Sequence, residues 1–377
     1  MGDGYGTTSR SAERGVTALK REIVRLIEAA GPMSVADYMA LCLFDPRHGY
    51  YTTREPFGTA GDFITAPEIS QMFGELIAVW AYSAWASLGS PTPVTLAEIG
   101  PGRGTLMKDL LRTLTTLDRG FVEAADFAMV EASARLAEVQ KAALAGVEAR
   151  IDWHPSISTL REQPLILVAN ELFDAIPVRQ YVKTDSGWRE RMVALDASSE
   201  LAFIAGAGTL DPACLSADAP AAPVGAIVEI SPAREALMQE LALRIASSGG
   251  AGLFVDYGHA VSAVGDTLQA VRRHGFDHVL AHPGEADLTA HVDFSALARI
   301  AAAAGLASAL MTQGEFLLEL GLAERAGRLG AAGSVPVRDR ITLEAERLAG
   351  HAGMGNLFKA FAVFPKDASI APFGHAD

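Results

Sequence analysis

The segment Glu98-Ile-Gly-Pro-Gly-Arg-Gly104 links an apolar run to a helical pattern, and its residue types suit it to holding a ligand. Glycine at 100, 102 and 104 permits a tight turn and lets a ligand approach the main chain closely. The start of the following helix offers unpaired N–H groups. Glu131 ends the next apolar run, where a carboxylate in a doubly wound fold bonds a ribose diol. Asp152 and Trp153 end a third run; they suit an adenine ring, Asp152 accepting from its amino group, or simply cap a turn. A fourth run ends in Asn170-Glu171-Leu172-Phe173-Asp174. Glu171 and Asp174 lie three apart, so one helical turn would put both carboxylates on one side. Such a pair suits a guanidinium, which is planar, permanently charged and bound bidentately by carboxylates. The bland alternative is a capped helix start with Asp174 in solvent. His291, inside the polar run 285–293, is either a proton acceptor or a helix-start residue with Thr289 or Asp293 as the cap. Asp287, His291 and Asp293 lack a metal-ligand spacing, so no metal is expected.

These residues need a scaffold. Periodicity predicts helices over 11–30, 34–44, 70–87, 104–117, 133–145 and 232–247. Short apolar runs without strict alternation predict strands at 94–100, 126–131, 149–153, 164–170, 251–258 and 356–364, and 306–350 reads as a strand and helices. Strands of this kind separated by helices give a doubly wound, mostly parallel α/β sheet, Rossmann-like, covered on both faces. Residues 178–206 alternate and predict an inserted antiparallel hairpin. Ser90-Pro91-Thr92-Pro93 reads as a linker, which divides the chain into a helical region at 1–92 and a domain at 93–377 with insertions at about 178–206 and 265–350.

Composition narrows the function. Half of the 377 residues are hydrophobic and a fifth charged, which excludes a disordered chain or a fibre. The 31 basic and 45 acidic residues give a net charge of −14, a poor match for nucleic acid or an anionic membrane. Two cysteines, Cys42 and Cys214, support neither a disulfide framework nor a cysteine zinc site. No apolar stretch reaches a membrane-spanning length. With no leader pattern at the start, the expectation is a bacterial, cytoplasmic protein.

The loop reads G-x-G-x-G with an acid two residues before the first glycine. A dinucleotide loop, G-x-G-x-x-G, would need glycine at 105, where Thr105 stands. The pattern resembles the first motif of class I S-adenosylmethionine-dependent methyltransferases. That resemblance implies a cofactor loop of Gly100, Pro101, Gly102 and Gly104, with Glu98 facing the methionine ammonium, Glu131 on the ribose and Asn170 nearby. The blocks 56–80, 96–112, 169–181, 252–258, 267–270, 287–294 and 354–364 together resemble the MidA family, whose mitochondrial members are arginine methyltransferases assisting assembly of respiratory complex I. The likeness implies S-adenosylmethionine as cofactor, symmetric dimethylarginine as product and the quinone-side subunit of complex I as protein substrate. It also implies that residues 61–68, with Asp62, Thr65 and Glu68, form part of a cover over the site, and Gln71 shares a helical face with Glu68. Asn170 departs from other members, which vary before the glutamate. Methylation of a small molecule or another residue, and a non-catalytic assembly factor, are the alternatives. Oligomeric state is open, a homodimer among the options.

Overall fold

The structure is a computed structural model in which residues 17–53, 64–331 and 333–374 are described. The chain forms two compact units. One contains residues 64–174 with Pro232–Ser262 and the part from His291 onward; the other contains residues 17–53 with Ala175–Ser231 and Ala263–Ala290.

The first unit holds the sheet. Its strands are Val94–Ile99 (β1), Ala125–Val130 (β2), Ile151–His154 (β3), Leu165–Asn170 (β4), Gly250–His259 (β5), Leu306–Thr312 (β6) and Phe358–Pro365 (β7). They lie in the order β3-β2-β1-β4-β5-β7-β6, and the two-residue strand Val292–Asp293 pairs parallel with the end of β5 as an eighth. The first five are parallel, and β7 runs antiparallel to both neighbours. Every residue of β1 is buried, as a strand covered on both faces requires. Strand order reverses between β1 and β4, so their carboxyl ends flank a crevice of the kind in which such sheets hold ligands. The Gly loop leaves β1 there and Glu171 leaves β4.

Gln71–Ser87 (α1) and Thr105–Leu117 (α2) pack closely. Leu106, Leu110 and Leu114 are buried along one α2 face at intervals of four, each contributing about 1.5–3 kcal/mol by burial. Gly74 on α1 lies where a Cβ would stand 2.6 Å from the Cβ of Asp109, so a larger residue would force the helices apart. Buried Glu75 holds α1 to a later helix through two bonds from Arg325, at 2.7 and 2.8 Å. Ala134–Leu144 (α3) buries Leu136, Ala137, Gln140 and Leu144.

In the second unit, helices Ala18–Ala30 and Val35–Phe44 are capped by Thr17 and Ser34. The predicted hairpin is larger than expected. Gly187–Leu195 pairs antiparallel with Arg179–Thr184, Leu201–Thr209 and Met33–Ser34, and Ile227–Ile230 completes five strands. The strands outside the predicted 178–206 are Met33–Ser34 and Ile227–Ile230, two and four residues long and too short to stand out as alternating runs; within the predicted segment, Leu201–Thr209 is rich in Ala and Gly. Close contact with Met192 and Glu190 explains two of them: a Cβ at Gly206 or Gly208 would lie 2.6 or 2.8 Å from those side chains. A separate three-stranded sheet is built from Gln269–Arg272, Gly275–Asp277 and Asp287–Thr289. The partition differs from a single division at residue 92, since residues 64–92 fall with the parallel sheet while two later segments join the N-terminal helices.

Candidate active site

The Gly loop has the backbone its composition suggested. Gly100, Gly102 and Gly104 take φ of 64°, 54° and 83°, the left-handed region that costs other residues roughly 1–2 kcal/mol each. Gly104 N donates to Pro101 O at 2.8 Å, closing the turn over buried Pro101. Gly104 then caps α2 with its backbone alone, so α2 begins beside an open cradle of main-chain groups. Buried Glu98 accepts from the backbone N–H of Met107 in the first turn of α2, and burial pushes its carboxyl up to about 8. Its Oε2 has no hydrogen-bond partner among the described residues. A buried carboxylate oxygen without a donor is costly, and an ammonium group would satisfy it.

Glu68 reaches this loop. It accepts from Thr105 Oγ1 at 2.5 Å and lies 3.9 Å from the Arg103 guanidinium. Thr65 is the N-cap residue of the short helix Ala66–Ile69 but makes no side-chain cap bond. Gln71 accepts from Arg112 at 3.2 Å, which ties it to the α1–α2 contact. Asp62 lies outside the described residues.

Glu131 follows β2 and accepts from Ser133 N at 2.7 Å and from Gln140 Nε2 at 3.0 Å. Burial raises its carboxyl above the ordinary range. Trp153 joins the same group by donating to Gln140 Oε1 at 3.1 Å. Asp152 does not join it: neighbours along a strand face opposite sides, and its carboxylate lies 3.5 Å from Arg150 and 3.9 Å from Arg161.

The turn after β4 gathers carboxylates. Glu171 and Asp174 do approach each other, but through a turn and not the expected helical turn. Glu171 has φ of 51°, a strained conformation worth about 1–3 kcal/mol and typical of functional positions. Its N–H donates to Val255 O at 2.8 Å, and its Oε1 accepts from Asn170 Nδ2 at 3.1 Å. Burial, then the Asp174 charge, push its carboxyl up to about 8. Asp174 itself is buried, so the solvated alternative does not hold.

Two further residues complete this cluster. Buried Asp256, at the end of β5, accepts from the N–H groups of Phe173, Asp174 and Tyr257. Burial and the charges of Asp174 and Glu171 hold its carboxyl well above the usual range. Buried Arg234 donates to Asp174 O at 3.0 Å and to His291 O at 2.6 Å. The cluster touches the Gly loop, since a Cβ on Gly100 would lie 3.2 Å from Leu172 Cδ1.

His291 stands edge-on to Tyr257 with ring centroids 5.6 Å apart. Burial, then the charges of His259, Arg234 and Lys359, lower its pKa and favour the neutral ring. Asp293 caps helix Phe294–Ala303 by accepting from Ala296 N at 3.1 Å, while Thr289 lies in a strand of the other unit. Asp287 accepts from the Tyr51 hydroxyl. Among the described residues no group of three or more His, Cys, Asp or Glu side chains could hold a metal ion. None of their helices is long and apolar enough to cross a membrane.

Residues 76–312 match a family profile described as "Putative S-adenosyl-L-methionine-dependent methyltransferase". The chain belongs to this family. It is 35% identical to the mitochondrial protein arginine methyltransferase NDUFAF7 of Homo sapiens, over 96% of this chain and 86% of that protein. The Xenopus tropicalis protein of the same name is also 35% identical, over 93% and 86%. Among solved structures, a COG1565 superfamily member from Burkholderia thailandensis bound to S-adenosyl-homocysteine superposes with a TM-score of 0.79. It is 28% identical, over 96% of this chain and 95% of that one. S-Adenosylmethionine is therefore the cofactor, and the protein is a methyltransferase. The cytoplasmic location expected from the sequence is corrected by the same comparison, because these curated relatives are named as mitochondrial proteins.

Proposed function

We propose that the protein is a protein arginine methyltransferase of class I fold that forms symmetric dimethylarginine, with a respiratory complex I subunit as its substrate. The observation that carries this reading is the group of buried or half-buried carboxyls of Glu171, Asp174 and Asp256 beside the Gly loop. The arginine methyltransferase names of its relatives support it.

The residues fit the cofactor. The left-handed glycines leave the backbone open to it, orphaned Glu98 Oε2 suits its ammonium and Glu131 suits its ribose hydroxyls. Asp152, engaged with two arginines, is a weaker candidate for the adenine than Trp153. S-Adenosylmethionine supplies an electrophilic methyl group on a sulfonium. The protein's task is to aim one guanidinium nitrogen at that carbon, and orientation and charge placement carry most of such catalysis. As the new N–C bond forms and the S–C bond breaks, the guanidinium nitrogen gives up a proton. Glu171, pushed up to about 8 when no cation is present, ionises when a guanidinium arrives and can accept that proton. Its strained backbone fixes the carboxyl in the turn, and Asp256 holds the N–H groups of Phe173 and Asp174. His291, packed edge-on to Tyr257, is given no part in proton transfer. Residues near Glu68 form part of a cover.

The test incubates the purified protein with radiolabelled S-adenosylmethionine and the quinone-side complex I subunit, beside a Gly102→Val control. Hydrolysis should release label in symmetric dimethylarginine, absent from the control. Label confined to another residue or to a small molecule would overturn the substrate assignment. Unlabelled protein that still supports complex I assembly would favour the non-catalytic alternative.

A further inference from the structure

Gln140 lies in the middle of α3, fully buried, on a face otherwise made of Leu136, Ala137 and Leu144. An uncharged polar side chain there must find partners, and it finds three from three different strand ends. Its Nε2 donates to Gly102 O at 3.0 Å and to Glu131 Oε2 at 3.0 Å, and its Oε1 accepts from Trp153 Nε1 at 3.1 Å. The chemistry fixes the orientation of the amide. A peptide carbonyl and a carboxylate oxygen only accept, and an indole N–H only donates, so the flipped amide would lose all three bonds.

We infer that Gln140 is a positioning residue for the cofactor: it joins the Gly loop, Glu131 and Trp153 into one preset frame, and thereby sets how strongly the ribose diol is recognised. The inference rests on the cofactor assignment for Glu131 made above. With Gln140 on one oxygen and Ser133 N on the other, the Glu131 carboxylate cannot rotate, and its remaining lone pairs point in fixed directions. Two adjacent hydroxyls are good ligands for such a carboxylate, because both donors meet acceptors already in place. The same amide holds Gly102 O, so loosening it would disturb the loop and the carboxylate together.

Replacement by glutamate keeps the shape and gives the test its specificity. An ionised carboxylate at 140 would face Gly102 O and the Glu131 carboxylate with no proton to donate; a protonated one restores one of the two donations. The other charged groups around this position are Arg135, which acts on Glu131, Lys141, 5.7 Å above the Trp153 ring, its ion-pair partner Glu138, and His154, whose carbonyl accepts from Glu131 N.

The experiment measures S-adenosylhomocysteine binding by calorimetry for wild type, Gln140→Glu and Gln140→Leu between pH 6 and 8.5. It also follows the Trp153 indole N–H by NMR in unliganded protein. The Glu variant should bind nearly as tightly as wild type at pH 6, and its affinity relative to wild type should fall about tenfold or more by pH 8.5. The Leu variant should bind about 10–100-fold more weakly at every pH, with its Trp153 N–H exposed to exchange while wild type stays protected. A 5′-methylthioadenosine analogue lacking both ribose hydroxyls should lose less affinity from wild type to the Leu variant than 5′-methylthioadenosine itself does, because only the diol contact to Glu131 is then out of play. A flat ratio for Gln140→Glu, or full affinity in Gln140→Leu, overturns the inference. Should wild type itself fail to prefer the diol over the dideoxy analogue, the Glu131 assignment fails instead.

Discussion

Two polar regions meet at the carboxyl ends of β1, β2 and β4, and they are built on opposite principles. Around Glu131, the charge and its neighbours have fixed partners: Ser133 N and Gln140 for the carboxylate, Gly102 O and Trp153 for the amide. After β4, three acidic side chains crowd together with one buried guanidinium, Arg234, which donates to the backbone oxygens of Asp174 and His291. Glu171 and Asp256 are held above their ordinary range there, by burial first and by the charge of Asp174 second. A satisfied network is rigid and recognises neutral hydroxyls by position. A crowded acidic one stays partly protonated until a cation arrives, and then gains from it. The difference suits a methyltransferase in which the cofactor binds to a preset frame and the second substrate completes the charge balance.

The largest expected effect breaks the first region alone. Gly102→Val places a β-branched residue at φ 54°, and S-adenosylhomocysteine affinity should fall by about 100-fold or more, as calorimetry would show. The carboxylate cluster, which does not depend on that residue, should keep the raised pKa of Glu171, readable by NMR titration. Retained binding in the valine variant would remove the loop from the cofactor site.

A smaller effect concerns pH. Glu98 titrates near 8 in the folded protein and near its ordinary 4.5 when unfolded, so the folded state holds the extra proton between those values. The stability contribution is therefore complete below pH 4.5 and lost as pH rises through 8. Unliganded protein should be less stable at pH 9 than at pH 5, and Glu98→Gln should remove on the order of 1–3 kcal/mol of that difference in urea titrations at the two pH values. An unchanged slope in the variant would show that Glu98 ionises freely and that its orphaned oxygen is solvated.

Much of the first region was legible in the sequence, because its information is local. Three glycines at alternate positions between an apolar strand and an amphipathic helix admit few backbones, and the strand, turn and helix were found within a residue or two of their positions. Gln140 was not legible as a hub. Its partners are 38, 9 and 13 residues away, and the only signal was a glutamine in register with an apolar helix face. The second region was half legible: the order of polar residues after β4 marked it, but Asp256 and Arg234 come from segments 82 and 60 residues from Asp174. The interleaved second unit was hidden for a similar reason, since its sheet pairs Met33–Ser34 with Gly187–Leu195. Trp153 joined Gln140 and Glu131, and Asp152 joined the surface arginines, a split that strand alternation explains once the register is known.

The central claim is that the carboxylates after β4 handle a substrate guanidinium while the Gly loop and Glu131 handle the cofactor. The most direct measurement compares wild type with Glu171→Gln in single-turnover methyl transfer to arginine in the complex I subunit, with S-adenosylhomocysteine affinity measured on the same preparations. The expected result is transfer slowed by roughly 100–1,000-fold with cofactor affinity within about threefold of wild type. Transfer at the wild-type rate, or a loss of cofactor binding that matches the loss of transfer, would contradict that division of labour.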